Sequence, residues 1–511
     1  MPDLAPSRRP LLGPLRSTRT PSGQSAYNPQ VVLLTGVVVL NVVLALAVVT
    51  LPASAALGVA VFPPLLLLVT HVVLPRPGVL VFAALGLTIF GGPLNNPLPF
   101  SSSATLFPAD VLVGLALVSW VVERTTTTRT ARPRLRTPVL GLPLVLLSAA
   151  LLTGVLRGHA RYGLPYFSQP VRIFVYAGIA VAIADLTARS AYRGIVWTFY
   201  LGAAWSAILA LYYLATGGSE TGSVDLSTGG TRVLSLSTAM FLAASLVLAL
   251  LNLELDLSAR RRALDLLVAA LATFGIVVSL GRTTFAALAV LVPLVLIALR
   301  RVRSAIVSFV PLFLPLLVLV ALLVPRAAPH IGPTLTARLT GKLSNDTAVV
   351  TRQREYDAAL AGFHKEPVFG LGFGRSYTYL ALDRHLTTLA GDPENSYLYL
   401  LAGGGWFALT TWIMLFLAFL WNTFRRLSHA AGTDRVLVLW STALWFVLAV
   451  NTFTGPILSV PSLLLPLWIA MLLPSLVRPE PHPAQPSGAV RRRRFVDLAA
   501  PQPELAYRTP R

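Results

Sequence analysis

Residues 392–421, DPENSYLYLLAGGGWFALTTWIMLFLAFLW, change abruptly from polar to continuously apolar sequence. Acidic residues and Pro393 beside the first apolar positions are typical of a helix N-terminus. The run that follows exceeds the ~20 apolar residues that a helix needs to cross a bilayer. Three glycines at 403–405 would let a second backbone or a lipid chain approach closely. The stretch therefore predicts a membrane-spanning helix that begins at a polar boundary.

The whole chain has a membrane protein's composition. Of its 511 residues, 55% are hydrophobic and 12% are charged, and the mean hydropathy is +0.72. These values exclude a water-soluble globular fold and predict an all-α polytopic membrane helix bundle of about 12–14 spans. The candidate spans are 31–51, 55–74, 78–91, 108–123, 138–156, 171–187, 194–215, 232–253, 264–281, 283–300, 304–324, 396–421, 435–453 and 456–476.

Charge placement orients these spans. With the N-terminus in the cytoplasm, most arginines of the short loops fall on the cytoplasmic side, as the positive-inside rule requires. This orientation predicts a cytoplasmic (inner) membrane protein with both termini in the cytoplasm and one long extracytoplasmic loop. The predicted divisions are a disordered tail 1–30, the first part of the bundle 31–324, the loop 325–395, the last part of the bundle 396–477 and a disordered basic tail 478–511.

Several classes of function are excluded or disfavoured. The chain has no cysteine, which excludes disulfides, thiolate catalysis and cysteine-ligated metals. The net charge of +21 lies partly in tails without a predicted folded nucleic-acid-binding domain, so nucleic acid is not expected as a partner. Membrane lipids are expected as partners of the basic tail. Carboxylates are missing from the centres of the spans, which argues against an ion-coupled carrier.

Arginines at the outer boundary stand out against this background. Arg172, Arg232 and Arg282 lie at the outer ends of predicted spans, and Arg352 and Arg354 lie on the long loop. A guanidinium is a planar donor suited to phosphate or diphosphate. The alternative is that each arginine reaches the interface by snorkelling or caps a helix.

The long loop carries the remaining candidates. Residues 351–363 have apolar side chains at helical spacing, which predicts an amphipathic helix, and Gly370 to Gly374 favour a tight turn over substrate contact. Glu394 and Asn395 precede the apolar run, so they could cap the helix or Glu394 could accept a proton from a hydroxyl. The other titratable candidates are His364 and His385.

The order of these motifs resembles the O-antigen ligase and O-antigen polymerase-like membrane proteins over about residues 170–450. The motifs that carry the resemblance are Arg232, SLGR at 279–282, RQREY at 352–356, PVFGLGFG at 367–374 and ENSYL at 394–398. One departure is that the ligases usually have histidine where this chain has Glu394. The resemblance therefore leaves ligation and polymerisation both open.

The resemblance implies a GT-C-like membrane glycosyltransferase whose active site faces outward. It would be an inverting, metal-independent enzyme without a cofactor, with a lipid-linked glycan donor on undecaprenyl diphosphate and a glycan, lipid or protein acceptor. The catalytic residues would be Arg352, Glu394 and Arg282, and the substrate-binding residues would be Arg232, Arg172, Arg354, Asn395, Tyr397 and His385. Two other functions remain open, namely a transporter or flippase for a lipid-linked or anionic substrate, and a membrane scaffold whose loop binds a partner.

Overall fold

A computed structural model gives the fold of the protein. It describes residues 77–90, 98–101, 104–126, 138–162, 176, 178, 183, 186–216, 218, 220, 233–255, 258–279, 281–298, 347–374, 376–380, 386–390, 393, 395–453, 455, 458 and 461–477.

The described residues form a helical bundle. Its helices are α1 (Pro77–Phe90), α2 (Pro108–Thr126), α3 (Pro138–Tyr162), α4 (Ala188–Thr216), α5 (Leu236–Asn252), α6 (Ala259–Ser279), α7 (Arg282–Ala298), α8 (Thr347–Phe363), α9 (Ser396–Leu427), α10 (Gly432–Thr452) and α11 (Pro461–Leu472), which a 3₁₀ turn extends through Leu473–Leu476. Within the described ranges, α3, α4, α6, α9 and α10 are long and apolar enough to cross a membrane. The protein is a multi-pass membrane protein of the all-α class.

The predicted spans agree with these helices. Every predicted span that falls on described residues is helical, including the hairpin in which α6 ends at Ser279 and α7 begins at Arg282. The predicted spans 31–51, 55–74 and 304–324 lie outside the described residues, and so does most of 171–187. Both predicted tails, 1–30 and 478–511, also lie outside them.

Helix α5 occupies the centre of the bundle. Nearly every one of its residues is buried, because it is apolar all round and packs against α4, α6, α7 and α10. An aromatic cluster fills the space beside it: the ring centroids of Phe199 and Trp440 are 4.8 Å apart, and those of Phe199 and Phe241 are 6.5 Å apart. The indole nitrogen of Trp440 donates to the carbonyl oxygen of Ala244 at 3.0 Å.

The long predicted loop contains more than its expected helix. Residues 347–363 form α8, which confirms the amphipathic helix predicted at 351–363. The structure adds an antiparallel hairpin in the loop, β3 (Ser376–Leu380) with β4 (Leu386–Ala390), and a second hairpin, β1 (Leu98–Ser101) with β2 (Ala104–Leu106). The sequence analysis predicted neither hairpin.

Candidate active site

Helix α8 lies beside the first turns of α9 and runs in the same direction. Ala359 packs with Ala402 and Leu398 of α9. One turn later, the ring of Phe363 meets that of Trp406 edge to face, with centroids 5.7 Å apart. Because Ala359 meets Leu398 near the start of α9 and later residues of α8 meet later residues of α9, the second half of α8 lies beside the beginning of α9.

The first half of α8 holds two predicted site arginines. Arg352 and Arg354 are half-buried, and Glu355 between Arg354 and Tyr356 is only 2% exposed. The Tyr356 hydroxyl donates to the carbonyl oxygen of Phe453 at 2.8 Å. Arg352 therefore lies one helical turn before a residue that joins α8 to the end of α10.

The end of α10 and the described residues just after it, residues 451–453, 455 and 458, also contact the start of α9. We call these residues the α10–α11 turn. The hydroxyl of Ser396 donates to the carbonyl oxygen of Gly455 at 3.2 Å and accepts from the amide of Leu458 at 3.1 Å. The ring of Tyr397 lies 4.7 Å from that of Phe453. The first residues of α9 are therefore fixed to the same segment as α8.

Helix α7 reaches this turn as well. Thr283 donates a hydrogen bond from its hydroxyl to the side-chain oxygen of Asn451. The amide nitrogen of Asn451 in turn donates to the carbonyl oxygen of Val447 at 2.7 Å. Arg282 is the first residue of α7, so its backbone lies next to the α10–α11 turn, whereas its side chain lies outside the described part of the structure.

The beginnings of α5 and α7 lie side by side. A Cβ added to Gly281 would lie 3.2 Å from a Leu236 methyl carbon. Ser235 is the N-cap of α5, and the Glu220 carboxylate supports it by accepting from the amide of Ser235 at 2.7 Å and from the hydroxyl of Thr238 at 2.9 Å. This carboxylate was not among the predicted site residues.

Asn395 performs the capping role that the sequence analysis considered for it. It is the N-cap of α9, and its side-chain oxygen accepts from the amides of Tyr397 at 3.0 Å and Leu398 at 3.1 Å. Four other predicted site residues, Arg172, Arg232, His385 and Glu394, lie outside the described residues. The structure thus brings together the helix starts that carry Arg282, Arg352, Asn395 and Tyr397, and their catalytic and binding roles remain predictions.

The glycine motif at 367–374 packs between helices of the bundle. Helix α9 breaks at Gly405, whose backbone has φ 67° and ψ −166°, a conformation that favours glycine. The segment 367–373 lies in the break, and we call it the glycine loop. Amides of Trp406 and Phe407 donate to carbonyl oxygens of Pro367 and Val368 at 2.8 and 3.1 Å.

The glycine loop also donates hydrogen bonds to the carbonyl oxygens at the end of the part of α9 that precedes the break. The amides of Leu371 and Gly372 donate to the carbonyl oxygens of Ala402 and Gly403 at 2.9 and 3.0 Å. Backbone groups freed by a break in a membrane helix are costly unless they find partners in the protein. The expectation that the glycines at 403–405 admit a second backbone is confirmed. Gly370, Gly372 and Gly374 have φ values of 66°, 96° and 92°, as the turn expected there requires.

Helix α3 closes the other side of the glycine loop. The amide of Phe373 donates to the carbonyl oxygen of Gly154 at 3.0 Å. A Cβ added to Gly158 would lie only 1.8 Å from the carbonyl oxygen of Phe373, so glycine is required at this contact. The loop therefore runs between two helices at backbone distance.

An ionic cluster holds the beginning of the glycine loop against α3. Glu366 forms ion pairs with Arg157 and with Arg161, the latter at 2.6 Å. Arg161 also donates to the carbonyl oxygen of Leu371 at 3.2 Å. The hydrogen bond from Arg161 and the charge of Arg157 lower the pKa of the Glu366 carboxyl. These arginines were not among the predicted site residues, although they directly follow the predicted span 138–156.

A pocket lies at the opposite end of the bundle. It is lined mainly by Leu251, Glu254, Arg435 and Val436, at the end of α5 and the beginning of α10. The candidate active site lies at the beginning of α5 and the end of α10. The two are therefore separate.

Comparison with known proteins finds a family match over part of this site. Residues 267–413 match the family model described as O-antigen ligase. The matched stretch extends from α6 through α8 and the glycine loop to the break in α9, and it includes Arg282 and Arg352. No curated protein matches the chain. The match confirms the resemblance to O-antigen ligase and polymerase-like proteins.

Proposed function

We propose that the protein transfers a glycan from undecaprenyl diphosphate to an acceptor hydroxyl, in ligation or polymerisation of cell-surface polysaccharide. The family match supports glycan transfer of the ligase or polymerase type. The observation that carries the proposal is the convergence of α7, α8 and α9 on the α10–α11 turn through Thr283, Tyr356 and Ser396. This convergence brings together the helix starts at which Arg282 and Arg352 lie.

The predicted site arginines form the binding site for the glycan donor. Arg282 and Arg352 bind the diphosphate, and Arg172, Arg232 and Arg354 extend the cationic surface around it. A guanidinium can donate two parallel hydrogen bonds to a phosphate, and it keeps its charge at any physiological pH. A diphosphate that leaves with negative charge is stabilised most where the cations are already fixed in place.

The reaction is a single displacement at the anomeric carbon. Glu394 accepts the proton of the acceptor hydroxyl, the hydroxyl oxygen forms the new glycosidic bond, and the bond from the anomeric carbon to the diphosphate oxygen breaks. The diphosphate takes the bonding electron pair, and Arg282 and Arg352 stabilise the resulting charge. The configuration at the anomeric carbon inverts, and the mechanism uses no metal. Tyr397 and His385 contact the acceptor.

We place the reaction at the outer face of the cytoplasmic membrane. The uneven distribution of arginines over the short loops supports this orientation. With both termini in the cytoplasm, the beginnings of α5, α7 and α9 and the end of α10 all lie on the outer side. A glycan acceptor outside the cell would then reach the site without crossing the bilayer.

Alanine at Arg352 tests this proposal. We expect Arg352→Ala to lower transfer from a lipid-linked donor by at least about 100-fold, the usual cost of losing one preorganised donor to a developing anion. Arg352→Lys should restore only part of the activity, because an ammonium cannot replace the planar donor. The control is Arg260→Ala, an exposed arginine at the opposite end of the bundle. Arg352→Ala with control-level transfer and normal membrane expression would contradict the proposal.

A second substitution tests the base. Glu394→Gln preserves the shape of the side chain and removes its ability to accept the hydroxyl proton. We expect a loss of at least about 100-fold in transfer, with donor binding unchanged. Undiminished transfer in Glu394→Gln would contradict the role of Glu394 as a base and leave it only the role of capping the helix.

A further inference from the structure

One exposed surface has no part in the proposed reaction. It consists of Val368 and Phe369 at the tip of the glycine loop, Trp406 at the break in α9, and the arginines 157 and 161 of α3. We call it the loop-tip surface. Its apolar members are 57%, 44% and 53% exposed, respectively, and the guanidinium of Arg157 lies 5.9 Å from the centre of the Phe369 ring.

Helix α9 shows where this surface lies along the bilayer. Its exposed large apolar side chains begin at Trp406 and end at Phe424, immediately before Arg425 and Arg426. The 18 residue steps between Trp406 and Phe424 correspond to ~27 Å at ~1.5 Å per step, close to the ~30 Å thickness of the hydrocarbon core. Trp406 therefore marks one boundary of the hydrocarbon.

Helix α3 gives the same boundary independently. Its exposed apolar side chains include Leu142, Leu152 and Leu156, and this stripe ends directly before Arg157. Basic and aromatic residues at the end of an apolar stripe are typical of the headgroup level of a membrane. Both helices thus place the loop-tip surface among the lipid headgroups.

The charges of this surface favour an anion. Arg157 and Arg161 share a single carboxylate, Glu366, so the cluster keeps one net positive charge. The arginine side chains are 31% and 38% exposed, and the Nε of Arg157 has no hydrogen-bond partner although it is shielded from solvent. One surplus charge beside exposed apolar side chains matches a monoanionic phosphodiester that carries acyl chains.

We propose that the loop-tip surface binds the headgroup of an anionic phospholipid of the bilayer, with the acyl chains along Trp406 and the exposed face of α9. Arg157 and Arg161 hold the phosphate, and Val368 and Phe369 contact the first carbons of the chains. A bound lipid would keep the glycine loop seated in α9 from the membrane side. This site is separate from the arginines assigned to the glycan donor.

Tryptophan quenching can test the site in the full-length protein. Vesicles would contain phosphatidylglycerol or phosphatidylcholine with brominated acyl chains, and the signal of Trp406 is obtained by difference from Trp406→Phe. We expect brominated phosphatidylglycerol to quench Trp406 at about fivefold lower mole fraction than brominated phosphatidylcholine, the usual effect of one surplus basic charge near a membrane surface. The matched control is Trp205, which is 42% exposed on α4, twelve residues from the nearest charged residue of that helix, Arg193, and should show no preference.

Two variants separate lipid binding from a structural role. Arg157→Gln with Arg161→Gln should abolish the preference at Trp406 and leave Trp205 unchanged. Glu366→Gln removes the ion pairs but keeps both cations, so the preference should stay or rise by up to about fivefold. If Glu366→Gln loses the preference as the double variant does, the cluster only holds the loop and the proposal is overturned.

Competition identifies the lipid. Unbrominated phosphatidylglycerol should relieve the quenching of Trp406 at least as well as a polyprenyl phosphate does. Relief by polyprenyl phosphate at tenfold lower mole fraction would assign the surface to the donor and overturn the proposal. Because this assay measures lipid contact without glycan transfer, its result does not depend on the proposed reaction.

Discussion

Alanine at Gly405 should detach the glycine loop from α9. An alanine at φ 67° and ψ −166° costs about 1–3 kcal/mol in backbone strain. Its Cβ would lie 2.3 Å from the carbonyl oxygen of Val368 and 2.6 Å from the amide nitrogen of Gly370. Because both are backbone atoms, displacing them adds about 1–3 kcal/mol.

The displaced loop also loses hydrogen bonds. The amides of Trp406 and Phe407 would lose their carbonyl partners, at about 0.6–1 kcal/mol each. The combined cost of Gly405→Ala is about 3–8 kcal/mol, a large part of the ~5–15 kcal/mol that stabilises an ordinary fold. We therefore expect an early unfolding transition and the loss of glycan transfer.

Thermal unfolding of the purified chain in detergent, together with transfer from a lipid-linked donor, measures both effects. The matched control is Gly114→Ala in α2, where an added Cβ meets nothing within 4 Å. The control should be neutral or stabilising by up to ~1 kcal/mol, because alanine favours helix over glycine. A Gly405→Ala protein that unfolds with the control would show that the loop does not occupy the break.

Substitutions at three other residues probe other contacts. Asp265, which is 3% exposed and accepts a hydrogen bond from Tyr200, should tolerate Asn with no loss of stability, whereas Asp265→Ala should cost about 1–3 kcal/mol in an unfolding assay. The pKa of Glu366 is lowered in the folded protein, so its ion pairs stabilise fully above pH ~4.3 and are lost as the pH falls through the lowered value. Wild type should then lose more thermal stability between about pH 6 and pH 3 than Glu366→Gln does. Tyr356→Phe removes the hydrogen bond to Phe453 and should lower transfer by roughly two- to tenfold through misplacement of α8, with little change in unfolding temperature.

The spans could be predicted because a helix that crosses a bilayer needs a continuous run of ~20 apolar residues. Each helix from α1 to α7 and from α9 to α11 coincides with an apolar run, and the turn between α6 and α7 follows from the interruption at Gly281 and Arg282. Helix α8 followed from its amphipathic spacing. These features depend on local sequence alone, so no knowledge of distant contacts was needed.

Contacts between distant parts of the chain were beyond the same reasoning. The ion pair between Arg157 and Glu366 joins residues 209 positions apart, and the glycine loop fits a break that only the three-dimensional path of α9 reveals. Nothing in the alternation of residues 376–390 was strong enough to predict the β3–β4 hairpin. Asp265 was also missed, because its burial depends on the hydroxyl that Tyr200 of α4 presents to α6.

The two halves of the candidate region depend on each other through α8. At the middle of α8, Tyr356 ties the helix to the α10–α11 turn, and just beyond its end the glycine loop ties it to α3 and to the break in α9. A helix held at two points can fix Arg352, which lies one turn before the first of them, far better than a free surface loop can. Catalytic groups must be held to within about 0.5 Å. The break in α9 therefore has a physical reason: it exchanges the intrahelical hydrogen bonds of Trp406 and Phe407 for backbone contacts with the glycine loop, and these anchor the segment that carries Arg352.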